Sequence, residues 1–272
     1  MPRSCFPIAD RLHPLDGFAD CGESLDMASL VVRSALFPVP HGFSTRLGGV
    51  SAGPFASLNL AEPTEDDRAR VAENLRLLAQ SCGFRSDSLR TVSQVHGDRV
   101  VEAASPGGSG GEADALWTGE LGIAVGVRTA DCVPILLADP VGRRVAAVHS
   151  GWRGTVARVS ARAVEALAQK GTRPADLVAA IGPSIRACCY RVSTDLAQRF
   201  ADFGPGVVIE EGGGVHLDLA IAVRASLVAC GVAADRIDLL PDCTSCDPAR
   251  FFSHRRDLGV TGRHLSFAVC EF

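Results

Sequence analysis

A chain of 272 residues, 47% hydrophobic and 21% charged, can bury a substantial core and has the composition of an ordinary globular protein. A formal net charge of -4 argues against a nucleic-acid binder, which needs a basic face. No run of about 18 uninterrupted apolar residues is present to span a membrane. The opening MPRSCFPIADRLHPLDG lacks the continuous apolar core of a secretory signal. The ten scattered cysteines are therefore expected to be mostly buried, reduced thiols of a cytoplasmic protein rather than a disulfide framework.

Residues 1–35 show weak periodicity and read as an N-terminal extension, with the organised domain over 36–272 opening at Leu36-Phe37-Pro38. HGFSTRLGGVS gives a short strand, then Arg46 and a Gly48-Gly49 turn; Asn59 lies in a further loop. The spacing predicts an amphipathic helix over 66–82, with Val71, Leu75, Leu78 and Cys82 on one face and Gly83 ending it. Residues 89–101 predict two short strands around His96-Gly97-Asp98, SPGGSGG (105–111) a flexible surface loop, and 115–127 another strand pair.

Residues 128–154 predict a hairpin. One strand follows Cys132, Asp139-Pro140-Val141-Gly142 carries turn chemistry, and the returning strand closes on His149, which brings Cys132 and His149 to the same end. A helix is expected over 155–170, a buried strand over 178–181, a helix over 194–203 and a turn at 212–214. A long helix follows over 218–230, and the tail predicts strands around CTSC, FFSHRRD and TGRHLSFAV. The irregular alternation, without a linker, describes a single mixed α/β domain with helices covering sheet faces.

His96, Cys132 and His149 each sit at a strand end beside a Gly or Pro turn, where loops gather and sites form. Two imidazoles and one thiolate are a standard zinc set that leaves a fourth position open; the plainer alternative is core histidines and a core thiol. Copper in a blue site would want an axial Met, but Met1 and Met27 both fall outside the organised domain, and seven histidines are too few for a trinuclear cluster as well. Gly151-Trp152-Arg153-Gly154 before a helix start favours an anion such as phosphate, or is simply a tight turn with a surface Arg. Cys243 and Cys246 form a CxxC that stands alone in the sequence, which favours buried thiols over a zinc ribbon. The HxE half of the nucleobase deaminase signature is missing.

FSTRLGGVS (43–51), SLNL (57–60), QVHGDRV (94–100), ADAL (113–116), TADCVPILLAD (129–139), AAVHSGWRG (146–154), HLDL (216–219), CT (243–244), FFSHRRD (251–257) and TGRHLSF (261–267) occur in this order. In these motifs the chain resembles the YfiH-like proteins, also called laccase-domain proteins or multicopper polyphenol oxidoreductases and now regarded as purine nucleoside phosphorylases. The resemblance implies a four-layer α/β/β/α fold and a zinc ion at His96, Cys132 and His149. It also implies phosphorolysis of adenosine, inosine and methylthioadenosine with phosphate as co-substrate, and adenosine deamination alongside; copper-dependent oxidation of phenols has been ascribed to some members. The partners expected are a nucleoside and phosphate, with the chain a monomer or homodimer. Arg191, in place of an acid, and Trp117, in place of a smaller residue, depart from the family pattern.

On this reading Cys132 and His149 serve the metal and the chemistry, and Asp131 moves a proton or orients a ligand. Arg46 and Arg153 clamp phosphate, with Arg255 and Arg256 as weaker candidates, and Asn59 binds the sugar or caps a turn. The main alternative makes Cys132 and His149 a nucleophile–base pair for amide hydrolysis of a cell-wall precursor. A non-catalytic zinc or copper protein is the third reading.

Overall fold

The computed structural model describes residues 30–61, 65–103 and 111–272. Within them the chain runs β1 Val31–Val32, β2 His41–Ser44, α1 Arg68–Cys82, β3 Leu89–Arg90, β4 Val100–Glu102, β5 Ala115–Thr118 and β6 Ala124–Thr129. The hairpin β7 Val133–Asp139 and β8 Arg144–Ser150 leads to α2 Trp152–Val156, α3 Val159–Ala168 and β9 Val178–Ile181. Then come β10 Arg191–Val192, α4 Thr194–Gln198, β11 Val208–Glu211, β12 Gly214–Leu217, α5 Leu219–Ala229, β13 Ile237–Leu239 and β14 His264–Val269.

Two mixed sheets pack face to face: β1-β2-β14-β6-β3 and β13-β9-β7-β8-β5-β4, with β10-β12-β11 a small third sheet at one side. The central hairpin shows why. Ile135, Leu137, Ala146 and Val148 point into one core with Ala163 and Leu167 of α3 and Val223 and Leu227 of α5. Their neighbours Leu136, Ala138, Val145 and Ala147 point into a second core with Val125 and Val127 of β6 and Ala268 of β14. A third core sets Leu78 and Ala79 of α1 against Leu265 and Phe267 on the far side of β14. Helix, sheet, sheet and helix thus form the expected four layers. A strand buried on both faces needs apolar residues at every position, which is the origin of the unbroken PILLA and VAAV runs. Leu136 is fully buried between the sheets, where truncation to alanine costs about 2–5 kcal/mol.

Helix α1 begins two residues later than expected and ends at the expected Cys82. Asp67 caps it by accepting from Ala69 N, and Gly83 closes it at φ 76°. Helix α5 is capped by Asp218, which accepts from Ile221 N. Several expectations are corrected. The helix expected over 155–170 starts earlier and is broken in two, because Arg158 adopts a left-handed φ of 62° between α2 and α3. The segments 89–101 and 115–127 do supply strands, but β3 and β6 join one sheet while β4 and β5 join the other. CTSC and FFSHRRD form turns rather than strands. The sheet also reaches upstream of residue 36, since Val31 and Val32 pair with Ser44 and Phe43. Residues 1–29 and most of SPGGSGG lie outside the described residues. Among the described residues no helix is long and apolar enough to cross a membrane.

Candidate metal centre and cleft

The β7–β8 register pairs Val133 with Ser150 and Pro134 with His149, so Cys132, one residue before β7, and His149 share one end of the hairpin. The 95–97 turn brings His96 beside them with its backbone in the left-handed region, φ 62°. One ligand atom from each of His96, Cys132 and His149 lies within 4.8 Å of the other two. The imidazoles meet edge to face, with centroids 4.8 Å apart. His96 is exposed, Cys132 half-buried and His149 buried, so the group opens to one side.

Asp114 holds this arrangement. It is fully buried at the entrance to β5, beside β8. Its Oδ1 accepts from His149 Nδ1 at 2.7 Å and from His96 N at 2.9 Å. Its Oδ2 accepts from Gly97 N at 2.6 Å and from Val95 N at 3.3 Å. One carboxylate therefore fixes the His149 ring and the backbone that presents His96. With Nδ1–H given to Asp114, His149 presents Nε2 toward Cys132 and can bind a metal there once that nitrogen gives up its proton, which is how outer carboxylates orient metal-binding histidines.

The charges are coupled. Burial disfavours the Cys132 thiolate, but His149, with its charge and hydrogen bond, and His96 outweigh it and lower the thiol to about 6. Burial likewise disfavours charged His149, and the Cys132 thiolate and Asp114 raise it to about 9. The donor chemistry fits a thiophilic divalent ion. A thiolate is already favoured, two imidazoles face it, and a second-shell carboxylate is in place. Gly151 makes room for it: a Cβ there would lie 3.0 Å from His96 Cδ2 and 3.1 Å from Cys132 Sγ. Asp131, beside Cys132, is a second non-glycine residue held at positive φ, 87°, and such strain gathers at functional sites.

The three residues line a cleft of about 700 Å³ together with Asp131, Trp152, Tyr190, His254 and the guanidinium-bearing Arg128, Arg153, Arg255 and Arg263. Arg46 and Asn59, expected at the substrate, are not in this lining. The Arg46 guanidinium donates to Ala56 O at 2.7 Å and Pro248 O at 3.1 Å and lies 4.6 Å over the Phe252 ring, tying the loops at 56 and 248 together. Asn59 is fully buried; it donates to Asp66 and accepts from Ala61 N and Arg263 N. Arg256 turns away to Asp257, Thr244 O and Phe251 O, and Arg191 also lies outside the lining. Arg153 does reach the cleft, exposed and 4.5 Å over Trp152. Its helix α2 has only five residues, so the guanidinium contributes more there than any helix dipole. Asp131 lines the cleft with both oxygens engaged, accepting from Thr244 Oγ1 and Arg255 N, each at 2.6 Å.

Sequence reasoning passed over Asp114, Arg128, Arg263 and Tyr190. The signal for Asp114 was present: a carboxylate inside the apolar run Ala-Asp-Ala-Leu needs a buried partner. The cysteines also differ from expectation. No disulfide joins the described ones, yet among them Cys243 and Cys270 alone are buried, while Cys188 and Cys246 are exposed. Met1 and Met27 lie outside the described residues.

Comparison with known proteins places this geometry in a lineage. A purine nucleoside phosphorylase of Deinococcus radiodurans is 45% identical over 234 residues, covering 86% of this chain and 90% of that protein. One from Streptomyces coelicolor is 42% identical, covering 82% and 91%. The crystal structure of YlmD from Geobacillus stearothermophilus superposes with a TM-score of 0.82 at 33% identity, covering 89% of this chain and 98% of that one. The model of one family, described as multi-copper polyphenol oxidoreductase laccase, matches residues 40–271, and the chain belongs to that family.

Proposed function

We propose that the chain is a zinc-dependent purine nucleoside phosphorylase acting on adenosine, inosine and methylthioadenosine, with adenosine deamination as a side activity. The observation that carries this reading is one cleft whose lining holds both the His96–Cys132–His149 group and four arginines. Relatives bearing the phosphorylase name support it. A volume of about 700 Å³ lies in the range of small-molecule sites.

A zinc ion held by His96, Cys132 and His149 would supply a Lewis acid beside the substrate. The chain's own residues do the rest. Arg128, Arg153, Arg255 and Arg263 outnumber the carboxylates Glu65 and Asp131 in the lining, so the cleft's charge favours a phosphate dianion. Arg128 also donates to Leu60 O, Arg255 to Arg191 O and Arg263 to Thr261 O, so these three brace the wall as well as charge it, and the exposed Arg153 is the best placed to grip the anion. Tyr190 and Trp152 put aromatic rings in the wall, with Arg255 4.9 Å over one and Arg153 4.5 Å over the other, so a purine can lie against stacked guanidinium and ring. Asp131, with both oxygens engaged, ties the Arg255 loop to the Cys132 strand, which favours the orienting role over proton transfer, the other role considered from sequence. The test is release of free base from the three nucleosides with and without phosphate, on protein assayed for zinc. Phosphate-dependent release supports the reading; release of equal rate without phosphate contradicts it.

A second reading rests on its own observation. Cys132, His149 and Asp114 stand as thiolate, imidazole and orienting carboxylate, the order found in cysteine hydrolases. An amidase of this type on cell-wall precursors would survive chelation and die on alkylation, whereas the phosphorylase would lose activity to the chelator. Copper in the same ligand set would give a polyphenol oxidase, and oxygen uptake with phenols by copper-loaded protein tests that form.

A further inference from the structure

Four cysteines outside the cleft converge on one point. Cys188 and Cys189 lie in the turn before β10, and Cys243 and Cys246 in the turn after β13. The Sγ atoms of all four lie within 4.8 Å of one another, with Cys246 Sγ 3.4 Å from Cys188 Sγ and 3.3 Å from Cys189 Sγ. Those separations far exceed a disulfide bond of about 2.05 Å. These two fall a few tenths of an ångström short of the edge of about 3.8 Å expected of a tetrahedron whose metal–sulfur bonds are about 2.3 Å, and no pair exceeds it by more than about 1 Å. The CxxC that stands alone in the sequence therefore has its second pair, supplied by the adjacent Cys188 and Cys189.

The backbone builds this cluster independently of the sulfurs. Ser184 and Cys243 form a parallel bridge, and Thr244 N donates to Ser184 O at 3.1 Å. Amides then aim at the most buried sulfur: Arg186 N donates to Cys243 Sγ at 3.5 Å, and the amides of Ser245 and Cys246 do so as well. Amide donors on a cysteine sulfur favour a thiolate ligand over a packed thiol. Exposure of Cys188 and Cys246 leaves an entry path from solvent.

We propose that Cys188, Cys189, Cys243 and Cys246 form a second, structural metal site that takes a thiophilic divalent ion such as zinc in a closed four-thiolate shell. The proposal does not depend on the phosphorylase reading. All four positions are filled by protein, so the site has no open coordination for substrate and its work is mechanical. It staples the turn carrying Ile185 and Tyr190, both in the cleft wall, to the turn carrying Thr244, whose hydroxyl donates to Asp131. Binding releases the protons of whichever thiols are not ionised, with no change of oxidation state.

The test counts metal on full-length protein purified under reducing conditions. After loading with zinc and removal of excess, the wild type should hold two ions per chain, Cys132→Ala one, and the Cys188→Ser/Cys246→Ser double variant one. The exposed pair is chosen so that the variant keeps its core; circular dichroism confirms the fold. Cobalt titrated into Cys132→Ala should give thiolate charge-transfer absorption about four times that of cobalt in the double variant, in proportion to the thiolates bound. Folded Cys132→Ala that binds neither zinc nor cobalt would overturn the proposal. So would non-reducing peptide mass spectra of fresh protein showing these cysteines joined as disulfides.

Discussion

Replacing Asp114 by asparagine keeps the shape of a fully buried side chain but removes its charge and turns one acceptor oxygen into a donor. In the wild type Oδ1 serves His149 Nδ1 and His96 N, and Oδ2 serves Gly97 N and Val95 N, so either placement of the new NH₂ group faces N–H donors. Hydrogen bonds to a charged partner are worth about 1.5–3 kcal/mol each, and one retained oxygen offsets part of that loss. Loss of an orienting carboxylate behind a metal-binding histidine typically weakens metal binding about 10–100-fold, or about 1.4–2.7 kcal/mol. The assay is a zinc affinity measured by competition with a chromogenic chelator, beside the melting temperature of metal-free protein. We expect affinity to fall within that range while the fold persists. Unchanged zinc affinity in a folded Asp114→Asn protein would refute the role given to Asp114.

Gly151→Ala should lower metal affinity several-fold, because its Cβ would press His96 Cδ2 and Cys132 Sγ at 3.0–3.1 Å; metal content after dialysis checks this. Arg46→Ala should cost about 1–3 kcal/mol of stability through two lost hydrogen bonds and the contact with Phe252, leaving the KM for phosphate unchanged. Arg128→Ala and Arg263→Ala should raise the KM for phosphate more than that for nucleoside, which initial-rate kinetics will separate. Buried His264, whose burial lowers its pKa from 6.5 to about 4, stays neutral in the fold while the unfolded chain takes up a proton. Its contribution is intact above pH 6.5 and is lost as pH falls from 6.5 to about 4, by about 3 kcal/mol. Denaturant titrations across that range should show a shallower pH slope in His264→Gln.

The hairpin was legible because two double-sided apolar strands flank Asp139-Pro140-Val141-Gly142, and few other structures suit that pattern. Its closure then placed Cys132 beside His149 without further information. His96 was legible only as a residue at a glycine turn; what brings it in is Asp114, whose partners there are backbone amides that leave no trace in sequence. Arg46 and Asn59 were ambiguous in sequence for a related reason. A polar residue in a loop can serve a ligand or a neighbouring carbonyl, and here both serve the chain itself. The break at Arg158 had no glycine to announce it. Nor could sequence pair Cys188 and Cys189 with Cys243 and Cys246, because the bridge between Ser184 and Cys243 that aligns them forms only in the fold.

We expect the metal group and the arginine-lined cleft together to cleave a nucleoside with phosphate as the attacking partner. The most direct measurement is the identity of the sugar product when zinc-loaded protein turns over inosine in phosphate buffer, read by phosphorus NMR. Ribose 1-phosphate formed in step with hypoxanthine, and lost in Cys132→Ala, is the result expected. Free ribose as the product, or ribose 1-phosphate formed equally well by folded, zinc-free Cys132→Ala, would contradict the account.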